Sequence, residues 1–179
     1  MGNKLKWLGG GLAVVLVLVA ALALLARKSV HTELIIKAPP QEVWAVVTDP
    51  TTYPEWNPIL VEADGQYREG QTIAYKMRSP DGKTSDVTST VTRLTPQREL
   101  RQFGGIRGVL TFEHQWLLEP VPQGTKLIQQ EEYRGLWVLF WDPSWVHQAY
   151  RDANKALQAR LAKSKPAQKT GQPAAPQTP

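Results

Sequence analysis

Residues 142–162, DPSWVHQAYRDANKALQARLA, predict one long amphipathic helix near the C-terminus. Asp142 is a favourable N-cap residue, and Pro143 suits the first helical turn, where its missing N–H leaves no bond unmade. The helix is about 30 Å long at about 1.5 Å per residue, which is enough to cross a whole sheet. Its apolar residues recur at the 3.6-residue spacing of a helix with one buried face: Trp145, Val146, Ala149, Tyr150, Ala153, Ala156, Leu157 and Leu161.

The residues before this helix have the pattern of a β-sheet. A first strand is predicted at residues 31–37, followed by a short helix that Pro39 and Pro40 open. Residues 53–58, YPEWNP, form a short helical turn or loop. Further strands are predicted at residues 72–79, 85–94, 99–103, 110–118 and 127–133. Because the strands form one run bracketed by helices, we expect an α+β domain with an antiparallel sheet of about six to seven strands.

The N-terminal segment, residues 7–26, contains no charged residue and is flanked by Lys4, Lys6, Arg27 and Lys28. A bilayer core needs about 20 apolar residues in a helix, so we predict a transmembrane helix here. A cleaved signal peptide is the alternative, because Ala21-Leu22-Ala23 resembles a cleavage site. The apolar run is longer than the usual signal h-region of about 7–15 residues, which favours an anchor that is retained.

These predictions divide the chain into five parts. The cationic flanks favour an N-terminus in the cytoplasm, with the domain on the extracytoplasmic side of a bacterial inner membrane. The C-terminal residues lack large apolar side chains and are rich in Pro, Gln, Ala and Thr, which predicts disorder. The parts are a flank (1–6), a transmembrane helix (7–26), a tether (27–30), a folded domain (31–164) and a disordered tail (165–179).

The net charge of +5 does not predict a nucleic-acid partner. Between residues 31 and 163 there are 15 basic and 16 acidic residues, which is a net charge of −1. A near-neutral domain has no excess of cations to neutralise phosphates, the main source of nucleic-acid affinity. The excess of basic residues belongs to the N-terminal flanks and the tail. Since the chain has no cysteine, disulfides and thiolate chemistry are excluded.

Four stretches in order resemble the START/Bet v 1-like (SRPBCC) superfamily, and in particular its polyketide cyclase/dehydrase-like domains. The resemblance covers nearly all of residues 31–163. The four stretches are IKAPPQEVW at 36–44, YPEWNP at 53–58, EHQWLLEP at 113–120, and GTKL at 124–127 leading to EEYRG at 131–135. The resemblance implies a helix-grip fold, in which a curved antiparallel sheet wraps around the long C-terminal helix. It also implies a cavity between sheet and helix for lipids, sterols, polyketides or other apolar molecules.

Apolar and aromatic side chains are the candidate lining of that cavity, because such residues form the walls of small-molecule sites. The predicted lining residues are Trp56, Tyr75, Met77, Phe103, Phe112, His114, Trp116, Tyr133 and Trp141. Trp137, Trp141 and Trp145 are predicted to form either a gate to the cavity or a patch that touches the membrane. For each tryptophan, packing in the core is the alternative.

The candidate catalytic residues are His114 and Glu131, which lie near each other if the last two strands pair around residues 120–124. A histidine and a carboxylate in an apolar cavity could transfer protons. The alternative is a satisfied polar contact. The three histidines, His31, His114 and His147, have no metal-ligand spacing, so neither a metal nor another cofactor is expected.

Three functions remain open on the sequence. The first is a non-catalytic, membrane-anchored module that binds a small hydrophobic molecule, and it is favoured because no set of catalytic motifs is present. The second is an enzyme of the cyclase/dehydratase type that uses His114 and Glu131. The third is an interaction module for a membrane partner. A fold alone does not choose among such functions.

Overall fold

The computed structural model describes residues 2–164, apart from the side chains of residues 2–10, 12 and 24. The predicted disordered tail, residues 165–179, lies outside the described residues. The elements in chain order are α1 (Gly2–Leu25), β1 (Arg27–Ile36), α2 (Pro40–Val47), a 3-10 turn (Pro50–Thr52), α3 (Tyr53–Trp56), β2 (Leu60–Asp64), β3 (Thr72–Arg78), β4 (Thr84–Thr95), β5 (Glu99–Ile106), β6 (Leu110–Val121), β7 (Gly124–Arg134), a second 3-10 segment (Leu136–Leu139) and α4 (Ser144–Ser164).

The strands form one antiparallel sheet in the order β1-β7-β6-β5-β4-β3-β2. Strands β2 to β7 follow one another as neighbours, and β1 returns to pair with the last strand along its whole length. The predicted α+β class and the curled antiparallel sheet are therefore confirmed. The strand β2 is an addition to the strands located from the sequence, where its short and only partly buried pattern gave no clear signal.

The predicted tether, residues 27–30, is wrong, because these residues are the beginning of β1. Arg27 pairs with Arg134 and Val30 pairs with Glu131 in the β1–β7 ladder. Val30 is buried, so this part of the strand belongs to the folded domain. The chain therefore passes from α1 into the sheet through Ala26 alone.

The helix α4 begins at Ser144, one residue after Pro143. Asp142 caps it, as predicted. The amide and the hydroxyl of Ser144 both donate to the Asp142 carboxylate, over 3.0 and 2.7 Å. On its buried side α4 is tied to β1, because Asn154 Nδ2 donates to Thr32 Oγ1 over 3.0 Å and Gln158 Nε2 donates to the Ile35 carbonyl over 3.0 Å.

The apolar face of α4 contributes more to its attachment than its surface charges do. Leu157 is fully buried in the main core, which stabilises the fold by about 1.5–3 kcal/mol. The ion pair between Arg160 and Glu55 on α3 is largely exposed at its acidic end, and such pairs contribute about 0–1 kcal/mol. The predicted wrapping of the sheet around this helix therefore rests on hydrophobic packing.

The buried side chains form two clusters under α4. The larger one joins α2, α3 and the sheet around Val43, Trp116 and Leu157. The smaller one contains Val30, Tyr133, Val138 and Val146 at the other end of the domain. A space remains between the two clusters, as described below.

The helix α1 is continuous from Gly2 to Leu25, and its described apolar side chains between Val14 and Leu25 are largely exposed. Within the described part of the chain, no helix has the length and hydropathy required for a membrane span. The transmembrane helix predicted for residues 7–26 is helical, but as a span it has no support from the structure.

Gly124 in the β6–β7 turn lets the end of β1 approach closely, and we expect Gly124→Ala to destabilise the fold. Its φ is 137°, and a Cβ there would lie 2.2 Å from the Ile36 carbonyl oxygen. The exposed Gly82 has a φ of 81° with open space around it, so Gly82→Ala carries only the backbone cost of about 1–2 kcal/mol. Gly124→Ala adds about 1–3 kcal/mol of overpacking.

Urea unfolding of the two variants, followed by tryptophan fluorescence, measures this difference. The midpoint should fall further for Gly124→Ala than for Gly82→Ala. Equal midpoints would show that the turn moves away from β1 at no cost.

Candidate functional site

A cavity of about 230 Å³ lies between the inner face of the sheet and the first half of α4. On α4 the small side chains Ala149 and Ala153 line it, one on each side of Tyr150, which reaches across to Glu131. The wall is mainly apolar and aromatic. The residues that form this wall include Leu60, Met77, Val87, Leu110, Phe112, Trp116, Trp141, Trp145 and Val146.

Most of the residues chosen from the sequence line this cavity. Both candidate catalytic residues, His114 and Glu131, face it. The predicted lining residues that face it are Tyr75, Met77, Phe112, His114, Trp116, Tyr133 and Trp141. Of the aromatic group near the start of α4, Trp141 and Trp145 line the cavity, whereas Trp137 is 56% exposed on the surface.

Phe103 and Trp56 do not line the cavity. On β5 the buried positions are Leu100, Gln102 and Gly104, so the alternation of the strand turns Phe103 to the other face. Trp56 is buried in the main core, with its ring edge against Tyr53 at a centroid distance of 5.2 Å. Tyr53, from the same short helix α3, lines the cavity in its place.

A directed chain of hydrogen bonds runs along the end of the cavity next to α3. The Tyr53 hydroxyl donates to the Val47 carbonyl over 2.6 Å, so its 2.8 Å bond with Tyr67 must be donated by Tyr67. The 2.9 Å bond between Tyr67 and Tyr75 is then donated by Tyr75. Burial raises the pKa of all three tyrosines, which therefore stay neutral.

Gln102 and Ser89 complete this chain from the sheet. The side-chain amide of Gln102 donates to the Tyr75 hydroxyl over 2.6 Å and to Ser89 Oγ over 2.7 Å. Ser89 and Gln102 both line the cavity, so this end of the wall carries polar groups that a guest molecule can contact. The sequence reasoning missed Tyr53, Tyr67, Ser89 and Gln102, and a buried glutamine two residues from Gly104 carries no signal of its own.

Glu131 is the acidic group of the cavity, and two tyrosines donate to it. Tyr133 on the same strand and Tyr150 on α4 both donate to Glu131 Oε2. Burial raises the pKa of Glu131 to about 7, although the two donors act in the opposite direction. The carboxyl group of Glu131 therefore takes up its proton far more readily than an exposed glutamate does.

His114 lies directly opposite Glu131 in the β6–β7 pair, but its hydrogen-bond partner is Gln129. The side-chain amide of Gln129 lies 3.0 Å from His114 Nε2, which as placed accepts the bond. Burial lowers the pKa of His114 to about 4, so the ring is neutral at physiological pH. Its edge contacts with Trp116 and Tyr150, both at 5.5 Å, hold the ring in a fixed orientation.

His114 and Glu131 therefore lie side by side as predicted, but they are not hydrogen-bonded to each other. The two residues are cross-strand neighbours. Among the described hydrogen bonds, however, the carboxyl group is joined to two tyrosines and the imidazole to a glutamine. The tyrosine on α4 supplies the partner that strand pairing alone could not predict.

A match to a family profile over most of the chain identifies the family of this protein. The sequence profile of a family described as "Polyketide cyclase / dehydrase and lipid transport" matches residues 27–162, which run from the first residue of β1 to near the end of α4. The chain belongs to this polyketide cyclase/dehydrase and lipid transport family. The match begins at Arg27 and so agrees with the start of β1 in place of a tether.

Solved structures share the fold of this polyketide cyclase/dehydrase family member. A protein of Rhodobacter sphaeroides superposes with a TM-score of 0.66 at 21% identity, covering 76% of this chain and 93% of that one. The di-domain ARO/CYC protein BexL, of the BE-7585A biosynthetic pathway, has a TM-score of 0.66 at 15% identity, over 79% of this chain and 52% of that one.

The ZhuI aromatase/cyclase of Streptomyces sp. R1128 has a TM-score of 0.64 at 14% identity, over 79% of this chain and 97% of that one. At these identities the likeness establishes the fold of the domain and leaves its chemistry open. Among curated proteins, a search finds no match to the chain.

The shifted pKa values of His114 and Glu131 predict opposing effects of pH on the stability of the fold. The folded pKa of His114, about 4, lies below its ordinary 6.5, so its contribution to stability is lost as pH falls from 6.5 to 4. The folded pKa of Glu131, about 7, lies above its ordinary 4.5, so its contribution is present below pH 4.5 and lost as pH rises through 7. Between pH 4.5 and 6.5 the two effects oppose each other, and the stability of the wild type should change little.

Single substitutions should separate the two effects. Glu131→Gln should become more stable as pH rises from 4.5 to 6.5, because only the His114 effect remains. His114→Gln should become less stable as pH rises over the same interval. The urea midpoint of each variant, measured between pH 4.5 and 6.5, tests both predictions. Variants that keep the pH dependence of the wild type would contradict the pKa shifts of His114 and Glu131.

Proposed function

We propose that this protein is a non-catalytic binding module for a small apolar or lipid-like molecule, held beside a membrane by α1. The cavity between the sheet and α4 carries the proposal, because its wall is apolar and its few polar groups lie at defined places. The description of the family includes lipid transport, which supports the same function.

The size and polarity of the cavity restrict the guest. An engineered cavity of about 150 Å³ in another protein holds benzene, so a space of about 230 Å³ suits a molecule of one to two rings. The polar groups lie apart, with the Ser89 hydroxyl in the tyrosine chain and the Glu131 carboxyl near α4. A guest with one hydroxyl or carbonyl group on an apolar body would satisfy one of them and fill the remaining space.

The membrane part of the proposal rests on α1. Its described side chains between Val14 and Leu25 are apolar and largely exposed, so a lipid environment would remove them from water. The basic residues Lys4 and Lys6 precede the apolar run and Arg27 follows it. With the α-amino group, this distribution favours a cytoplasmic N-terminus and a domain on the extracytoplasmic side.

Filling the cavity from the helix side should abolish binding. Ala149→Phe places a ring in the space that the alanine leaves open, whereas Ala159→Phe places the same ring on the exposed side of α4. We expect the full chain to take up 2-naphthol, a two-ring molecule with one hydroxyl group. Ala149→Phe should lose the adduct and Ala159→Phe should keep it.

Native mass spectrometry of the full chain released from detergent measures the adduct directly. Equal uptake by both variants would place the probe outside the cavity. Absence of any adduct with 2-naphthol or with related one-ring and two-ring alcohols would contradict the proposed binding function.

An acid–base enzyme is the second candidate, and Glu131 is the observation that favours it. A carboxyl group with a pKa of about 7 can both give and take a proton near neutral pH. Tyr133 and Tyr150 hold it in place, and one structural relative, ZhuI, is described as an aromatase/cyclase. With a pKa of about 4, His114 would be a weak base in this reaction.

If the protein is such an enzyme, Glu131→Gln should lower the turnover of an aromatic polyketide precursor by about 100-fold or more while 2-naphthol binding persists. Chromatography of the products measures turnover, and the mass-spectrometric adduct reports binding. Turnover that survives the substitution would exclude Glu131 as the proton-transfer group, and absence of turnover by the wild type would leave the binding function alone.

A further inference from the structure

The exposed large apolar side chains of the described residues are concentrated in one region. Outside α1 they occur at one end of the domain, with the single exception of Ile35 on β1. We call the residues at this end the apolar collar. The collar consists of Ile106, Val109, Trp137, Leu139 and Phe140, which are 46–76% exposed.

Two segments that are distant in sequence are joined to form the collar. The end of β5 and the turn that follows it supply Ile106 and Val109, and the 3-10 segment before α4 with its C-cap residue Phe140 supplies the others. The amide of Trp137 donates to the Val109 carbonyl over 2.9 Å, and the amide of Leu136 donates to the Gly108 carbonyl over 3.0 Å. The rings of Trp137 and Phe140 lie side by side at 6.5 Å. The collar is therefore one surface with a defined backbone.

The collar adjoins the end of α1. The amide of Gly135 donates to the carbonyl of Ala26 over 3.3 Å, and α1 contacts the 3-10 segment Leu136–Leu139. The exposed apolar residues of α1, which include Leu22 and Leu25, are thus continuous with the collar. Arg27 and Arg107, both exposed, lie in the two segments that flank this junction.

The collar also adjoins the cavity. Val109 is followed by Leu110, and Phe140 is followed by Trp141, and both of these following residues line the cavity. Tyr133 packs edge-on against Trp141 at 4.6 Å just inside. An object that covers the collar would therefore meet this end of the cavity wall.

We propose that the apolar collar docks on the surface of a lipid bilayer and sets this end of the cavity against the lipid. A contiguous exposed apolar surface of this kind marks an interaction site. Tryptophan favours the membrane–water interface, and exposed arginines such as Arg27 and Arg107 attract anionic headgroups. The carboxylate of Asp142, two residues after Phe140, is engaged in capping α4.

A bilayer is preferred over a second protein copy because the collar continues into α1, whose exposed apolar residues need the same environment. This inference rests on the membrane part of the proposed function and is independent of what the cavity binds. The docking would let an apolar guest pass between lipid and cavity without crossing water.

Spin labels at single introduced cysteines test the docking in the full chain, which has no cysteine of its own. The labelled variants are Val109→Cys and Phe140→Cys in the collar, Leu18→Cys in α1, and Ile35→Cys as the exposed apolar control away from the collar. The chain is reconstituted in vesicles of phosphatidylcholine with a minority of phosphatidylglycerol. Accessibility to oxygen reports contact with lipid, and accessibility to a water-soluble nickel chelate reports contact with water.

Labels at 109 and 140 should lose access to the nickel chelate and gain access to oxygen on reconstitution, whereas the label at 35 should stay in water. If the label at 18 lies in lipid and the collar labels lie in water, the docking is wrong and the anchor stands. If all four labels lie in water, the membrane part of the proposed function fails too, while binding in the cavity is untouched. Dipolar broadening between labels at 140 in sparsely loaded vesicles would overturn bilayer docking in favour of contact between two copies.

Discussion

The vacancy between α4 and the sheet depends on the small side chains at the middle of the helix. Ala149 and Ala153 face the inner surface of the curled sheet, while larger residues at either end of the face reach the two core clusters. Asn154 and Gln158 bind the helix to the edge strand β1 beside this space. A fold that is well packed at its ends thus keeps an open centre, and its wall can contact a guest.

The polar groups in this centre are arranged so that few of them lack a partner. Three tyrosine hydroxyl groups form one chain of hydrogen bonds between Gln102 and the Val47 carbonyl. The chain gives each hydroxyl group a partner, so their burial does not carry the free-energy cost of an unsatisfied polar group. Glu131 differs from them. Its two tyrosine donors do not offset the loss of hydration, so the pKa of its carboxyl group stays well above the ordinary value. In a binding module this group selects a polar guest atom, and in an enzyme it would move a proton.

Three separate features of the structure lie together at the end of the domain where α1 is attached. The helix α1 joins the sheet there through Ala26, the collar is exposed there, and the aromatic part of the cavity wall begins there. Backbone hydrogen bonds between Gly108, Val109 and the segment before α4 hold these features together. This arrangement suits the membrane-side binding module that we propose, because an apolar ligand would be sparingly soluble in water.

Local patterns in the sequence were enough for the class of fold, the long helix with its Asp142 cap, and the inward positions of Phe112, His114, Trp116 and Tyr133. Strand alternation and helix periodicity are properties of neighbouring residues, and they can be read without knowledge of the rest of the chain. They failed for Phe103, where the inward positions of β5 are one residue out of step with the expectation. They also failed for residues 27–30, which become a strand only because β7 lies beside them.

Tertiary structure alone decided the partners of the polar groups and the size of the cavity. Tyr150 reaches Glu131 from another element, and Tyr53 on α3 reaches Tyr67 beyond the end of β2, so neither bond has a signature in the spacing of residues. The collar likewise unites two segments that no pattern relates. Hydrogen-bond partners and empty space depend on how distant elements approach one another, and that approach is set by the packing of the whole domain.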